Sequence, residues 1–459
     1  MINMAKKLTK EELLAKAKEP ETLAMKYHPF YRGKIATAIK APIRGYEDFS
    51  IWYTPGVAAP CRAIYKDKAK VFKYTNKGNS IAIVSDGSRV LGLGDIGPEA
   101  ALPVMEGKAM IFKYLGGVDA FPICLNTKDP DEIINAVKWL SPTFGGINLE
   151  DIAKPKCFYI LDRLRKELNI PVWHDDQQGT ALVTLAGLIS ALKVVKKKLK
   201  DVAITFIGAG AANVNIYKYI TLAGANPDNI VMVDSKGILN QDRIELKDKE
   251  PIKWEICKKT NKKGKTGGIK EALNGADVCI ALSKSGPGVI KKEWIAGMAE
   301  ESIVFACANP IPEIWPWEAK EAGAKIIATG RSDFPNQVNN SLGFPAVFRG
   351  ALDVGAKTIT DEMCISAAYA ISKYTEEKGL SEEYIIPNMG EIDMYIREAV
   401  AVGMKAIEQG VARIRKTREE LKESASSMIK ASQQAVKFHM EKGFIQPCLL
   451  YTSPSPRDS

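Results

Sequence analysis

Four carboxylates lie at the ends of two predicted elements. Glu150 and Asp151 precede a helical segment, and Asp175 and Asp176 follow residues 170–173, which are predicted to form a short buried strand, after the single residue His174. A carboxylate costs several kcal/mol to remove from water unless a cation or donors compensate. Oxygen ligands without paired cysteines suit a hard divalent cation such as magnesium or manganese. Alternatively, the first pair complements a helix dipole and the second belongs to a polar turn.

Lys108 and Tyr53 are candidates for proton transfer because of the residues that surround them in the sequence. Lys108 stands among apolar residues of a predicted helix that begins near Pro103, and apolar surroundings lower the pKa of a lysine. Tyr53 is followed by Thr-Pro-Gly, which predicts a turn and displays the phenol at the end of an element. Each has an ordinary alternative. A lysine can extend its ammonium from a helix edge into water, and a tyrosine can be a core residue with a satisfied hydroxyl.

A strand, a glycine-rich turn and a helix in the second half of the chain predict a dinucleotide site. Residues 201–207 form the predicted strand, and Asp234 ends the next strand about 20 residues after the glycines. Gly208 allows a tight turn, and Gly210 lets a pyrophosphate approach the helix N-terminus. Asp234 can accept hydrogen bonds from the adenosine ribose. Asn213 stands where the pattern has its third small residue, which weakens the match.

Alternating strands and helices predict an α/β protein with more than one domain. A length of 459 residues with 46% hydrophobic content suits two or three cores. We expect an N-terminal α/β domain for substrate and metal, a Rossmann-type domain, and a C-terminal helical region that packs on both. The predicted boundaries of these three regions are 1–176, 177–345 and 346–447.

Composition argues against several classes of protein. The net charge of +10 comes from dispersed lysines without an aromatic-interleaved basic stripe, so no nucleic-acid partner is predicted. The longest apolar run, residues 180–192, is interrupted by polar residues and is shorter than the roughly 18 residues of a bilayer span. Eight cysteines without CxxC spacing and an N-terminus without a signal-like apolar core predict a cytoplasmic protein without disulfides or membrane segments.

Nine short motifs together resemble malic enzymes of the short bacterial and archaeal type. In chain order they are YTPGVA, LGLGDIG, MEGKA, NLEDI, HDDQQGTA, GAGAA, VDSKG, ANP and VNN…FP, and MEGKA with HDDQQGTA is the most specific part. The resemblance covers residues 27–415. It implies oxidative decarboxylation of (S)-malate to pyruvate and CO2, with NAD or NADP and with Mg²⁺ or Mn²⁺, together with oxaloacetate decarboxylation. Malolactic enzymes share the fold and motifs but release lactate with tightly held NAD, which is the alternative.

The resemblance also implies a role for each matching position. Tyr53 corresponds to the general acid, Lys108 to the general base, and Asp175 to the acid that supports the lysine. The implied metal ligands are Glu150, Asp151 and Asp176. The implied substrate-binding residues are Arg89, Asn309 and Asn340, although short bacterial members often lack the arginine. The implied NAD(P)-binding residues are Gly208, Gly210, Ala211, Ala212, Asp234 and Asn309.

The sequence contains residues that favour NAD and residues that favour NADP. Asp234 favours NAD because it repels a 2′-phosphate, whereas Ser235 and Lys236 could bind and neutralise one, and the balance favours NAD. The long C-terminal helices and the family both predict a homodimer or a larger homo-oligomer.

The last residues differ in composition from the helical segment before them. Residues 448–459 resemble the translation of a common sequencing adapter, and the alternative is a disordered tail rich in proline and serine.

Overall fold

A computed structural model describes residues 10–448, with side chains from residue 20 onward, so the prediction for 448–459 lies outside the described residues except at Cys448. Within this range the strands belong to two sheets. The strands are β1 (Ser80–Ser85), β2 (Asp119–Cys124), β3 (Gly146–Leu149), β4 (Val172–His174), β5 (Ile204–Ile207), β6 (Ile230–Asp234), β7 (Gly237–Ile238), β8 (Val278–Ala281), β9 (Ile303–Ala306) and β10 (Ile326–Thr329).

Helices cover the faces of both sheets. They are α1 (Lys10–Tyr31), α2 (Asp48–Trp52), α3 (Ala58–Lys66), α4 (Val71–Tyr74), α5 (Gly97–Gly116), α6 (Pro130–Leu140), α7 (Lys156–Glu167), α8 (Thr180–Val194), α9 (Ala211–Leu222), α10 (Leu246–Lys249), α11 (Pro251–Lys259), α12 (Ile269–Leu273), α13 (Lys292–Ile295), α14 (Pro316–Glu321), α15 (Phe344–Asp353), α16 (Asp361–Lys378), α17 (Ile392–Glu408) and α18 (Arg418–Glu441). Across the described residues, none is long and apolar enough to cross a membrane.

The first sheet is parallel and has the strand order β2-β1-β3-β4. All parallel strands end at one edge, and ligands bind in α/β proteins beside the carboxyl ends of strands. Leu149 at the end of β3 pairs with His174 at the end of β4. The residues that follow, Glu150 and Asp175, therefore leave the sheet side by side.

The second sheet has the order β10-β9-β8-β5-β6-β7, with every strand parallel except β7. Its central strand β5 lies between β6 and β8: the chain runs from β5 outward to β6 and β7 on one side and then crosses back to β8 on the other side. Such a switch point opens a crevice at the carboxyl ends of the strands, which is where Rossmann-type domains bind dinucleotides. The predicted α/β class with a Rossmann-type domain is confirmed.

Helix α8 connects the two sheets and is buried along nearly its whole length. The apolar spacing in residues 177–199 of the sequence predicts one long helix over that range. Instead, a π-helical turn (Asp175–Gly179) precedes α8, which ends at Val194. Downstream, α16 packs on α8, and α15 and α18 pack on α5. These helices tie the Rossmann-type sheet to the helix that carries Lys108.

Candidate active site

Three acidic side chains converge at the carboxyl edge of the first sheet. Oxygens of Glu150, Asp151 and Asp176 lie within 4.8 Å of one another. Asp151 has a positive φ of 54°, and its backbone N–H donates to Oδ2 of Asp176 at 3.0 Å. This left-handed backbone conformation at Asp151 allows the side chains of the adjacent residues Glu150 and Asp151 to point to the same place.

The protein alone leaves this cluster electrostatically unsatisfied. Burial, reinforced by the Asp176 carboxylate, raises the pKa of Asp151 to about 8. Burial also raises the pKa of Glu150 well above its ordinary value, and the ammonium of Lys108 opposes this only in part. Oδ2 of Asp151 is buried without a hydrogen-bond partner among the described residues. An orphaned carboxylate oxygen within an all-oxygen ligand set fits a hard divalent cation such as Mg²⁺ or Mn²⁺.

Lys108 lies directly beside the acidic cluster. Its Nζ donates to Oδ2 of Asp175, lies 3.2 Å from Oε1 of Glu150, and stands 4.4 Å from the centre of the Phe344 ring. Burial by itself would lower the pKa of this lysine, which is the effect that its apolar sequence neighbours predicted. The carboxylates of Asp175 and Glu150 outweigh burial and raise the pKa above its ordinary value. The expected lowering is therefore wrong for the protein on its own.

Asp175 is the buried hub that holds Lys108. Its Oδ1 accepts from Nε1 of Trp173 at 3.1 Å, and its Oδ2 accepts from Nδ2 of Asn340 at 2.5 Å as well as from Lys108. Asn340 follows the second sheet in the chain, so this contact joins the two halves of the molecule. The hydrogen bonds from Trp173 and Asn340 hold the Asp175 carboxylate in one orientation. In that orientation the carboxylate accepts from Lys108.

The π-helical turn explains how two adjacent aspartates serve different partners. Asp175 reaches Lys108, whereas Asp176 reaches Asp151. A π turn is wider than an α turn, and such turns often occur at functional sites because they redirect side chains. The turn ends at Gly179, where a Cβ would lie 2.0 Å from Oδ1 of Asp175.

Tyr53 directly follows α2 as its C-terminal cap and makes no hydrogen bond or ion pair with the acidic cluster or Lys108 among the described residues. Its side chain is 71% exposed, and we find no hydrogen bond from its hydroxyl to any described residue. Its neighbours Ile51 and Trp52 are also exposed. The predicted display of Tyr53 at an element end agrees with the structure, whereas its role as an acid stays a prediction.

Arg89 and Asn309 occupy loops that face the same region. The backbone N–H of Arg89 donates to the carbonyl of Asp151 at 3.0 Å, and the exposed guanidinium forms no ion pair within the described range. Asn309 follows β9, and its carbonyl would lie 2.9 Å from a Cβ at Gly92. The glycine-rich loop of the first sheet therefore touches the loop of the second, and both asparagine and arginine side chains are free to meet a ligand.

The glycine-rich turn after β5 has the geometry that a pyrophosphate needs. Gly208 has a φ of 99°, and a Cβ there would lie 2.7 Å from the carbonyl of Leu282. A Cβ at Gly210 would meet open space. Gly210 is the N-cap residue of α9 and has no side chain that could bond to the first N–H groups of the helix. The first N–H groups of α9, beginning at Ala211 and Ala212, are thus available to an anion. The residues fit a dinucleotide.

Asn213 has a structural reason to replace the third small residue. Its buried Nδ2 donates to the carbonyls of Ile207 at 3.0 Å and Gly208 at 2.8 Å. The side chain thereby fastens the turn from inside the helix. Asp234 ends β6, as predicted, but Arg243 and Lys253 contact it, and sequence reasoning missed both.

Together these features define a two-domain α/β protein in which a Rossmann-type domain adjoins a site of acidic residues and one lysine. Two family models match the chain, namely Malic enzyme, N-terminal domain over residues 32–165 and Malic enzyme, NAD binding domain over residues 177–408. The chain belongs to the malic enzyme family, and the resemblance seen in its motifs is confirmed.

Individual relatives agree with the family models. The chain is 50% identical to the bifunctional malic/malolactic enzyme of Bacillus subtilis, with 88% of this chain and 97% of that protein covered. It is 51% identical to the NAD-dependent malic enzyme of Geobacillus stearothermophilus, with 83% and 78% covered. The crystal structure of Entamoeba histolytica malic enzyme superposes with a TM-score of 0.93 at 47% identity, covering 97% of this chain and 96% of that one.

Proposed function

We propose that this protein oxidatively decarboxylates (S)-malate to pyruvate and CO2, with NAD or NADP as the hydride acceptor. The observation that carries the proposal is the contact of Lys108 with Asp175, directly beside three convergent carboxylates. This arrangement places a proton carrier next to a site for a divalent cation. The same site would also decarboxylate added oxaloacetate, which enters the reaction after the oxidation step.

Glu150, Asp151 and Asp176 would hold Mg²⁺ or Mn²⁺. When bound, the cation supplies positive charge that offsets the carboxylates around Lys108 and a Lewis acid for the substrate oxygen that becomes negative. Arg89 and Asn309 lie on the loops around this edge and would bind the carboxylates of malate. Asn340 would orient the substrate from the position in which it holds Asp175.

Lys108 carries the first proton transfer. In its neutral form, Nζ accepts the proton of the malate C2 hydroxyl, and removal of that proton makes the hydrogen on the same carbon a better hydride. Asp175 keeps Nζ in position because its carboxylate is itself fixed by Trp173 and Asn340. Loss of CO2 then leaves an enolate, whose carbon must receive a proton to give pyruvate.

Tyr53 would supply that second proton from its hydroxyl. Its exposed position among exposed Tyr46, Ile51 and Trp52 supports a homo-oligomer in which a second copy of the chain covers this segment. In such an assembly, Tyr53 of one copy would act beside Lys108 of the other. A site shared between two subunits would explain why the hydroxyl of Tyr53 forms no hydrogen bond with the described residues of its own chain.

A second candidate function is malolactic conversion, which the name of the Bacillus subtilis relative favours. The two activities differ in products, since the oxidative reaction releases pyruvate and one reduced nicotinamide for each malate. The test is to incubate the protein with malate, NAD and Mn²⁺ and to quantify pyruvate, lactate and NADH. We expect pyruvate and NADH in equal amounts. Lactate without net NADH formation would replace the proposal with the malolactic reaction.

A further inference from the structure

One buried carboxylate joins the loops that follow β8 and β9. Glu313 is fully buried and lies in the loop after β9, four residues beyond Asn309. Its Oε1 accepts from the backbone N–H of Ser283 at 2.7 Å and from the hydroxyl of Ser283 at 3.1 Å. Its Oε2 accepts from the backbone N–H of Ala308 at 3.0 Å. Because β8 and β9 are neighbours in the sheet, this side chain fastens their carboxyl ends to each other.

The two loops supply the donors that satisfy this carboxylate. Burial raises the pKa of Glu313, and the hydrogen bonds from Ala308 and Ser283 oppose that rise only in part. Within the described chain, no lysine or arginine forms an ion pair with Glu313. A buried carboxylate without a cation depends on its hydrogen bonds, and each buried N–H that loses its acceptor is destabilised in turn. Any change at Glu313 is therefore transmitted to both loops.

The peptide around Asn309 is held from two sides. Glu313 accepts from the N–H of the residue before it, and Nη1 of Arg331, in the loop after β10, donates to the carbonyl of Pro310 at 2.7 Å. The side-chain amide of Asn309 packs against Gly330, where a Cβ would lie 2.9 Å from Nδ2. These contacts leave Asn309 little freedom to move along the edge of the second sheet.

The held peptide lies on the nicotinamide side of the Rossmann-type crevice. The glycine-rich turn follows β5, and Asp234 ends β6 on one side of that strand, whereas β8 and β9 lie on the other side. A dinucleotide crosses the crevice at this switch point, so its nicotinamide half points toward β8 and β9. Asn309 also touches the first sheet's glycine-rich loop, since its carbonyl would lie 2.9 Å from a Cβ at Gly92. The held peptide therefore lies where substrate and cofactor meet.

We propose that Glu313 is a positioning residue for malate oxidation, and that it sets the place of the Asn309 side chain by fastening the loop after β9 to the loop after β8. This inference rests on the proposed function, in which Asn309 binds malate. The oxygens of Glu313 are engaged by the two loops. Glu313 thus acts through Asn309 and not on the substrate directly.

A double-mutant cycle tests whether Glu313 acts through Asn309. Glu313→Gln keeps the size of the side chain but turns one acceptor into an NH2 group that faces an N–H donor. We expect kcat/KM for malate, at saturating NAD and Mn²⁺, to fall about tenfold to 100-fold, because a displacement of about 1 Å can cost about 100-fold in turnover. In an Asn309→Ala background, the same change should lower kcat/KM by less than about threefold, since the side chain that it positions is gone.

Melting temperature and NADH affinity, measured by fluorescence, separate positioning from loss of the fold. Glu313→Gln should still bind NADH, with its main loss in kcat/KM for malate. Glu313→Asp keeps the carboxylate but shortens its reach, so we expect a smaller loss, and this variant replaces Glu313→Gln in the cycle if the latter does not fold. Glu318→Gln is the matched control, because Glu318 accepts from the backbone N–H of Trp315 at 3.3 Å in the same segment. It should leave kcat/KM for malate unchanged.

Four results would overturn the positioning role. They are an equal loss from Glu313→Gln with and without the Asn309 side chain, an unchanged kcat/KM in a folded Glu313→Gln variant, a loss of NADH affinity as large as the loss of kcat/KM, and an equal loss in Glu318→Gln. None of them alters the formation of pyruvate and NADH by the wild-type chain, so the proposed function would stand. Failure of the wild-type chain to form pyruvate would overturn the proposed function and this inference together.

Discussion

The carboxylate of Asp175 occupies the space that a side chain at Gly179 would need, with only 2.0 Å between Oδ1 and the position of a Cβ. The same carboxylate accepts hydrogen bonds from Lys108 and Asn340. The absence of a side chain at one position thus allows the hub of the site to form.

Gly179→Ala should displace Asp175 and release Lys108 from its position. A misplacement of about 1 Å at a reacting group can lower turnover about 100-fold, and we expect a loss of that order. Gly107→Ala is the matched control, because Gly107 lies in α5 next to Lys108 and a Cβ there would meet no atom within 4 Å. Malate turnover and melting temperature of both variants provide the measurement. Equal activities in the two variants would show that the position of Asp175 is unimportant.

Asp176→Ala should weaken binding of Mn²⁺ by more than about tenfold and reduce malate turnover in parallel. The variant removes one of the three carboxylate ligands, so the cation loses both an oxygen donor and a negative charge that holds it. Titration calorimetry with Mn²⁺ measures the affinity directly. Asp162→Ala provides the control, because Asp162 is exposed and Lys166 is its one ion-pair partner among the described side chains. Unchanged metal affinity in Asp176→Ala would exclude the three carboxylates as the metal site.

Co-expression of Tyr53→Phe and Lys108→Ala chains tests whether the two residues act across subunits. If they do, a mixed dimer contains one site with both residues intact, and random pairing restores about a quarter of wild-type activity. Each variant alone should remain nearly inactive in malate turnover. No recovery in the mixture, with mixed dimers verified by two affinity tags, would place Tyr53 and Lys108 in the same chain during catalysis.

The acidic cluster was predictable because parallel strands bring their carboxyl ends to one edge. Glu150 and Asp175 follow strands that pair in register, so their convergence follows from the order of elements. The pKa of Lys108 was predicted in the wrong direction because its sequence neighbours are apolar, whereas its spatial neighbours are carboxylates that only the π-helical turn and the sheet place there. The residues next to a side chain in the sequence can indicate that it is buried, but they do not show which charged groups from other elements lie beside it.

Other parts of the site had no local signal. Arg243 and Lys253 reach Asp234 from 9 and 19 residues away, across a loop and from α11, and lysines and arginines at such spacings are common on surfaces. Asn213 weakened the dinucleotide pattern in the sequence, yet its two hydrogen bonds stabilise the turn that the pattern describes. The partner that would complete Tyr53 depends on contacts between chains, which no spacing within one chain encodes.

The most direct test of Lys108 as the proton carrier compares two reactions in two variants, with cofactor binding checked by fluorescence. Reduction of oxaloacetate by NADH needs a proton on the new hydroxyl, which Lys108 supplies in its ammonium form, but it bypasses protonation of the enolate carbon. Lys108→Ala should therefore lose malate oxidation and oxaloacetate reduction by orders of magnitude, whereas Tyr53→Phe should lose the first and retain much of the second. Oxaloacetate reduction preserved in Lys108→Ala, or equal losses of both reactions in Tyr53→Phe with normal metal and cofactor binding, would contradict this division of roles.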